Sequence, residues 1–108
     1  MKEIESGKWS SWCEDTTADL AGRQVAVQFA DKGVGEVQLT DAQRFMSIEY
    51  EQLGPAVAIT IKFGDGVVPR QHVVAEPRHV RLQLGADDTI EHVLIEDSTG
   101  RRTVMRLI

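Results

Sequence analysis

Between Ala56 and Phe63 apolar and polar positions alternate almost without a break. Val57, Ile59, Ile61 and Phe63 fall on one side, and Ala56, Ala58, Thr60 and Lys62 on the other. Side chains of a strand alternate faces with period two, so this stretch predicts a half-buried antiparallel strand. Its β-branched and aromatic residues suit a pleated surface. Gly64-Asp65-Gly66 follows and offers the positive-φ positions of a turn. The expectation is a sheet assembled on this strand.

The same alternation recurs along the chain. Arg23 to Phe29 predicts a strand with Val25, Val27 and Phe29 on one face, then a turn at Asp31-Lys32-Gly33. Glu36 to Leu39 continues with Val37 and Leu39. In Arg44 to Gln52, Met46, Ile48 and Tyr50 share a face, while Ser47, Glu49 and Glu51 face water. Leu53-Gly54-Pro55 breaks the chain. Arg70 to Glu76 is a strand whose register the pattern leaves open: either His72 with Val74 or Val73 with Ala75 faces in. Pro77 belongs at an edge or bend and holds Glu76 extended. Val80, Leu82 and Leu84 alternate against His79, Arg81 and Gln83, and Gly85-Ala86-Asp87-Asp88 reads as a loop.

Residues 8–21 break the two-residue rhythm. Trp9, Trp12, Cys13, Thr16 and Leu20 recur at helical spacing and form one stripe. Ser6 fits an N-cap and Gly22 the left-handed residue that ends the helix. The two tryptophans read as anchors that dock this helix on the sheet, in preference to a ligand cage.

The last hairpin can be derived in register. Val93 and Ile95 face in on one strand, Met105 and Leu107 on the other, and facing residues share a side. Val93 therefore opposes Met105, and Ile95 opposes Thr103. Ser98-Thr99-Gly100 becomes a three-residue loop with Gly100 at the left-handed position. The same register puts Glu96 opposite Arg102, and Leu94 opposite Val104, on the outer face.

The elements add up to a single domain over residues 1–108: helix 8–21, then an antiparallel sheet over 23–108. The fold class is mainly β, α+β with one helix. The N-terminal helix packs on a strongly twisted antiparallel meander of about seven strands, open or closed into a small barrel.

Composition narrows the function classes. The 108 residues carry a net charge of −5. The acidic excess lies in residues 1–54, which hold ten acidic against five basic side chains, while the rest is balanced. Nucleic-acid binding needs a basic footprint and is disfavoured. No apolar run approaches eighteen residues, so no transmembrane helix is expected, and the start lacks a signal-peptide core. The single cysteine, Cys13, cannot form an intrachain disulfide and favours a reducing, cytoplasmic setting. It reads as a small buried filler rather than a nucleophile.

Catalytic and cofactor motifs are missing. Gly33-Val34-Gly35 lacks the third glycine and the helix of a phosphate loop. His72, His79 and His92 are too dispersed for a local metal site, although His79 and His92 share strand parity. Glu49 and Glu51 share a face, which would raise one pKa if they were dry, yet no nucleophile accompanies them. No cofactor, metal or catalytic residue is assigned, and no enzymatic activity is expected. The sharpest candidate is an interface: Leu94 and Val104 on the outer face, rimmed by Arg81, Arg102 and Arg106. Either that patch meets a protein partner or a second copy as a homodimer, or the helix covers it.

The order of Val25-Ala26-Val27 after a Trp-bearing helix, Gly64-Asp65-Gly66, His72, Ala75-Glu76-Pro77, Val80-Arg81-Leu82, Val93-Leu94-Ile95-Glu96, Gly100 and Met105-Arg106-Leu107 resembles a family of small bacterial proteins classed as a domain of unknown function. The resemblance spans nearly the whole chain and matches least between Asp31 and Gln52. It implies a bacterial source and no assigned activity, and it carries over no catalytic residue. The expected function is a non-enzymatic binding or protein-interaction module. The alternative is a barrel that binds a small molecule of unknown identity, with the two tryptophans near its mouth.

Overall fold

The computed structural model describes residues 1–31, 35–64 and 69–108, with backbone alone for 36–41. The turns expected at Lys32-Gly33 and Asp65-Gly66, and the facing of Val37 and Leu39, lie outside the described residues.

One helix, α1 (Trp9–Leu20), follows a short strand β1 (Lys2–Ile4) and a 3-10 turn at Ser6–Lys8. Then come β2 (Gln24–Asp31), β3 (Gly35–Leu53), β4 (Ala56–Phe63), β5 (Arg70–Ala75), β6 (Pro77–Leu84), β7 (Ile90–Asp97) and β8 (Arg102–Leu107). The strands form one antiparallel sheet in the order β1-β6-β7-β8-β2-β3-β4-β5. It does not close into a barrel, so the barrel alternative loses its premise. The sheet curls, and the inner side of β5 meets β2 and β8. His72 Nε2 lies 2.8 Å from Thr103 Oγ1, and its ring stands edge-on to Phe29 at 5.5 Å.

The alternation at 56–63 sets the inner face as expected. Ile59, Ile61 and Phe63 are buried, whereas Lys62 is half-exposed and reaches Glu49 at 3.1 Å. This strand is not the middle of the sheet, however; it lies next to the β5 edge. The rest of the core comes from Val25, Val27, Phe45, Ile48, Val74, Val80, Leu82, Val93, Ile95 and Met105. The undecided register at 70–76 resolves with Val74 buried and His72 turned inward, while Val73 faces out.

Four local expectations need correction. Met46 is exposed, and Phe45, which the alternation missed, is fully buried. A bulge at Met46 is the cause: Phe45 pairs with Phe63 but Ser47 pairs with Lys62, and the extra residue resets the parity. Glu76 is not extended but left-handed at φ 52°, because the chain turns there from β5 into β6. Ser98 braces that corner, its N–H and Oγ donating to the Glu76 carbonyl and carboxylate. Ser6 is not the N-cap, since the Glu5 carbonyl accepts from Lys8 N–H and closes a 3-10 turn first. Finally, β1 makes an eighth strand that three residues of sequence gave too little pattern to show.

The helix stripe holds. Trp9, Cys13, Thr16 and Leu20 are buried and Trp12 is half-buried. The helix packs on β3 beyond Arg44, the last β3 residue paired with β2. There Thr17 Oγ1 accepts from Ile48 N–H at 3.0 Å and donates to its carbonyl at 2.9 Å, satisfying a strand edge that no strand among the described residues covers. Gly22, at φ 85°, turns the chain out of the helix while Arg23 N–H bonds back to the Leu20 carbonyl.

Candidate interaction surface

The derived hairpin register is found intact: Val93 with Met105, Leu94 with Val104, Ile95 with Thr103 and Glu96 with Arg102. Asp97 N–H bonds to Arg101 O around the Ser98-Thr99-Gly100 loop, and Gly100 sits at φ 86°. Asp97 Oδ1 accepts from Thr99 and from Arg101 N–H, which helps hold its pKa below the usual range despite some burial.

On the outer face a cross-strand row runs Glu3, Arg81, Leu94, Val104, Gln28. The structure brings together the side chains expected there. Leu94 and Val104 are half-buried and adjacent. Arg81 Nε lies 3.1 Å from Glu3, and Arg102 Nε 3.4 Å from Glu96. Exposed Arg106 stands opposite His92 and Ala26. Glu3 also meets His79 Nδ1 at 2.9 Å, and its hydrogen bonds to His79 and Arg81 depress its carboxyl pKa. Because α1 packs on β3, it is not the lid of this face.

The sites weighed as chemistry take ordinary roles. Cys13 is buried, and desolvation pushes its thiol up to about 12, so it is no nucleophile near neutral pH. A groove of about 480 Å³ between α1 and β3 passes over it, bordered by Glu14, Thr17, Glu49 and Tyr50. Glu49 accepts from Ser47 Oγ at 2.7 Å and pairs with Lys62. Both bonds lower its pKa, the reverse of a dry carboxylate pair. His79 and His92 share the outer face but pair with different residues, Glu96 and Gln83. No cluster fit to hold a metal occurs among the described residues. Trp9 is an anchor: its Nε1–H donates to the Ile4 carbonyl at 2.9 Å.

Two features do not show in the sequence pattern. A cleft of about 250 Å³ runs between β5 and the β7–β8 hairpin, with His72, Phe29, Asp97 and Arg101 in its walls. The outer side of β3, β4 and β5 also carries strongly exposed apolar side chains, Leu53 at 66% and Val73 at 49%. Val73 could have been found once the inward facing of His72 and Val74 was known.

Burial holds the His72 imidazole below its ordinary pKa. The unfolded chain therefore takes up this proton first as pH falls, so His72 lowers stability progressively below about pH 6.5 and has no such effect above it. His72→Asn should flatten the loss of stability between about pH 7 and pH 5, above the carboxylate range. Equal slopes for variant and wild type in denaturant melts would contradict the assignment.

Among the described residues no helix is long and apolar enough to cross a membrane. No curated protein and no solved structure matches the chain. A family model does match, over residues 1–108, the whole of the sequence in which the helix, strands and hairpin were read, and the chain belongs to that family of unknown function, DUF5335.

Proposed function

We propose that this protein is a non-enzymatic interaction module that works by protein contact and associates with itself through the outer face of β6, β7 and β8. The observation that carries the reading is the adjacent Leu94–Val104 pair, rimmed by Arg81, Arg102 and Arg106 on a face the helix leaves open. A two-fold contact uses the same surface twice and must be self-complementary. The rim suits this because it holds both signs: Glu3 beside Arg81 and Glu96 beside Arg102. Two apolar side chains make a small centre, so the contact should depend on protein concentration. Leu94→Lys tests it. The expected result is a folded protein with a near wild-type melting temperature and a lower sedimenting mass. An unchanged mass and melting temperature mean that the face is merely solvated. A loss of about 3 kcal/mol or more would mean that Leu94 is core.

A further inference from the structure

The cleft beside β5 is shaped to hold a small molecule. Two contacts across it fix the spacing of its walls. His72 Nε2 meets Thr103 Oγ1 on the inner side at 2.8 Å. At one end Ser98 N–H and Oγ bond to the Glu76 carbonyl and carboxylate, where β5 approaches β7. The space left is about 250 Å³. That leaves no room for a strand, and it is just under the roughly 300 Å³ at which sites for drug-sized ligands begin. Its occupant is therefore a molecule of only several heavy atoms.

The lining is apolar with a few hydrogen-bonding groups, the usual make-up of a ligand site. Phe29, Val73, Val74 and Ala75 supply the apolar part. Carbonyls of β5 add acceptors. Glu76 N–H donates to the Val57 carbonyl, and hydrogen-bonded pairs recur every second residue in an antiparallel ladder. In the β4–β5 register His72 and Val74 therefore bond to β4, while Val73 and Ala75 turn their backbone groups away from it. Those groups have no backbone partner among the described residues, and both residues border the cleft.

Charge decides between ligands. Asp97 lies in the wall opposite β5, and Thr99 N–H, Thr99 Oγ1 and Arg101 N–H all donate to its Oδ1. Its Oδ2 accepts no hydrogen bond among the described residues. The bonds to Oδ1 help to keep the carboxylate ionised. Arg101 also borders the cleft, but its Nε lies 3.2 Å from Asp31, which offsets its charge. Burial favours neutral His72. Glu76 adds a carboxylate at the closed end. Among the described residues, Asp31, Asp97 and Glu76 thus stand against Arg101 alone. Such a site repels anions and offers an ammonium, with its three donors, both a carboxylate oxygen and carbonyls.

We propose that this cleft binds a small primary amine with a compact apolar body. The ammonium donates to Asp97 Oδ2 and to an outward carbonyl of β5, and the body lies against Phe29 and Val74. This site is separate from the outer face of β6, β7 and β8 and does not depend on self-contact there.

The test is a titration of isotope-labelled protein, followed by amide shifts near neutral pH. The probe is isopentylamine; isopentanol and isovalerate keep its body and replace the charge. Isopentylamine should bind saturably, at least about tenfold tighter than isopentanol, since hydrogen bonds to a charged group are the stronger ones. Isovalerate should bind weakest. Shifts should centre on Val73, Ala75, Asp97 and Thr103 and leave α1 and β1 unmoved. Asp97→Asn keeps the Oδ1 acceptor that holds the turn and puts an amide nitrogen where Oδ2 stood. It should stay folded and bind amine and alcohol alike. The wild-type comparison of the three probes does not need the variant. No saturable binding of the amine, equal affinity for amine and alcohol in the wild-type protein, or shifts centred away from the cleft would each overturn the proposal. So would an undiminished preference for the amine in folded Asp97→Asn.

Discussion

Phe45→Ala should unfold at far lower denaturant than wild type, with a loss of about 3–5 kcal/mol, while its neighbour Met46→Ala should cost about 0.5 kcal/mol or less. The alternation of the sequence predicts the opposite ranking. Phe45 is fully buried and pairs with Phe63 across the strands, so removing its ring opens a cavity between β3 and β4. Met46 is the extra residue of the bulge and is 40% exposed. Transfer of the ring to water and the unfilled cavity add together, because the paired Phe63 collapses only partly into the space. Similar losses from the two changes would mean that the bulge is placed wrongly and the face of β3 with it.

Trp9→Ala should cost as much, about 3–5 kcal/mol, and Trp12→Ala clearly less. Trp9 is 6% exposed and belongs to the main core, whereas Trp12 is half-buried beside it. Trp9 also carries a bond that its neighbour lacks: its Nε1–H donates to the Ile4 carbonyl at the end of β1. Trp9→Phe separates the two contributions. It keeps most of the apolar contact and should lose roughly 1 kcal/mol for the hydrogen bond. Amide exchange in β1 should speed up in that variant more than in β7. Equal costs for the two alanine variants would mean that the helix is held by its whole stripe and not anchored at Trp9.

Much of this architecture is legible in the residues. The final hairpin is the clearest case, because turn chemistry at Gly100 and the alternation of Val93, Ile95, Thr103 and Met105 require the same register. The helix is legible because its stripe breaks the strand rhythm. The failures have physical causes. One inserted residue at Met46 reverses the parity of everything before it, and alternation cannot show an insertion. The left-handed Glu76 is braced by Ser98, which is distant in sequence. The position of β4 near an edge, and the open sheet, are properties of strand order, which local pattern does not encode. The candidate surface divides similarly. Leu94 and Val104 follow from hairpin register alone, while the outward facing of Val73 needs the inward facing of His72, which alternation leaves open.

Self-association of the wild-type protein is read directly by sedimentation over a wide concentration range. The chain is 12.0 kDa. The prediction is a mass that rises with concentration toward at least twice that value. A constant 12.0 kDa at every concentration would contradict it.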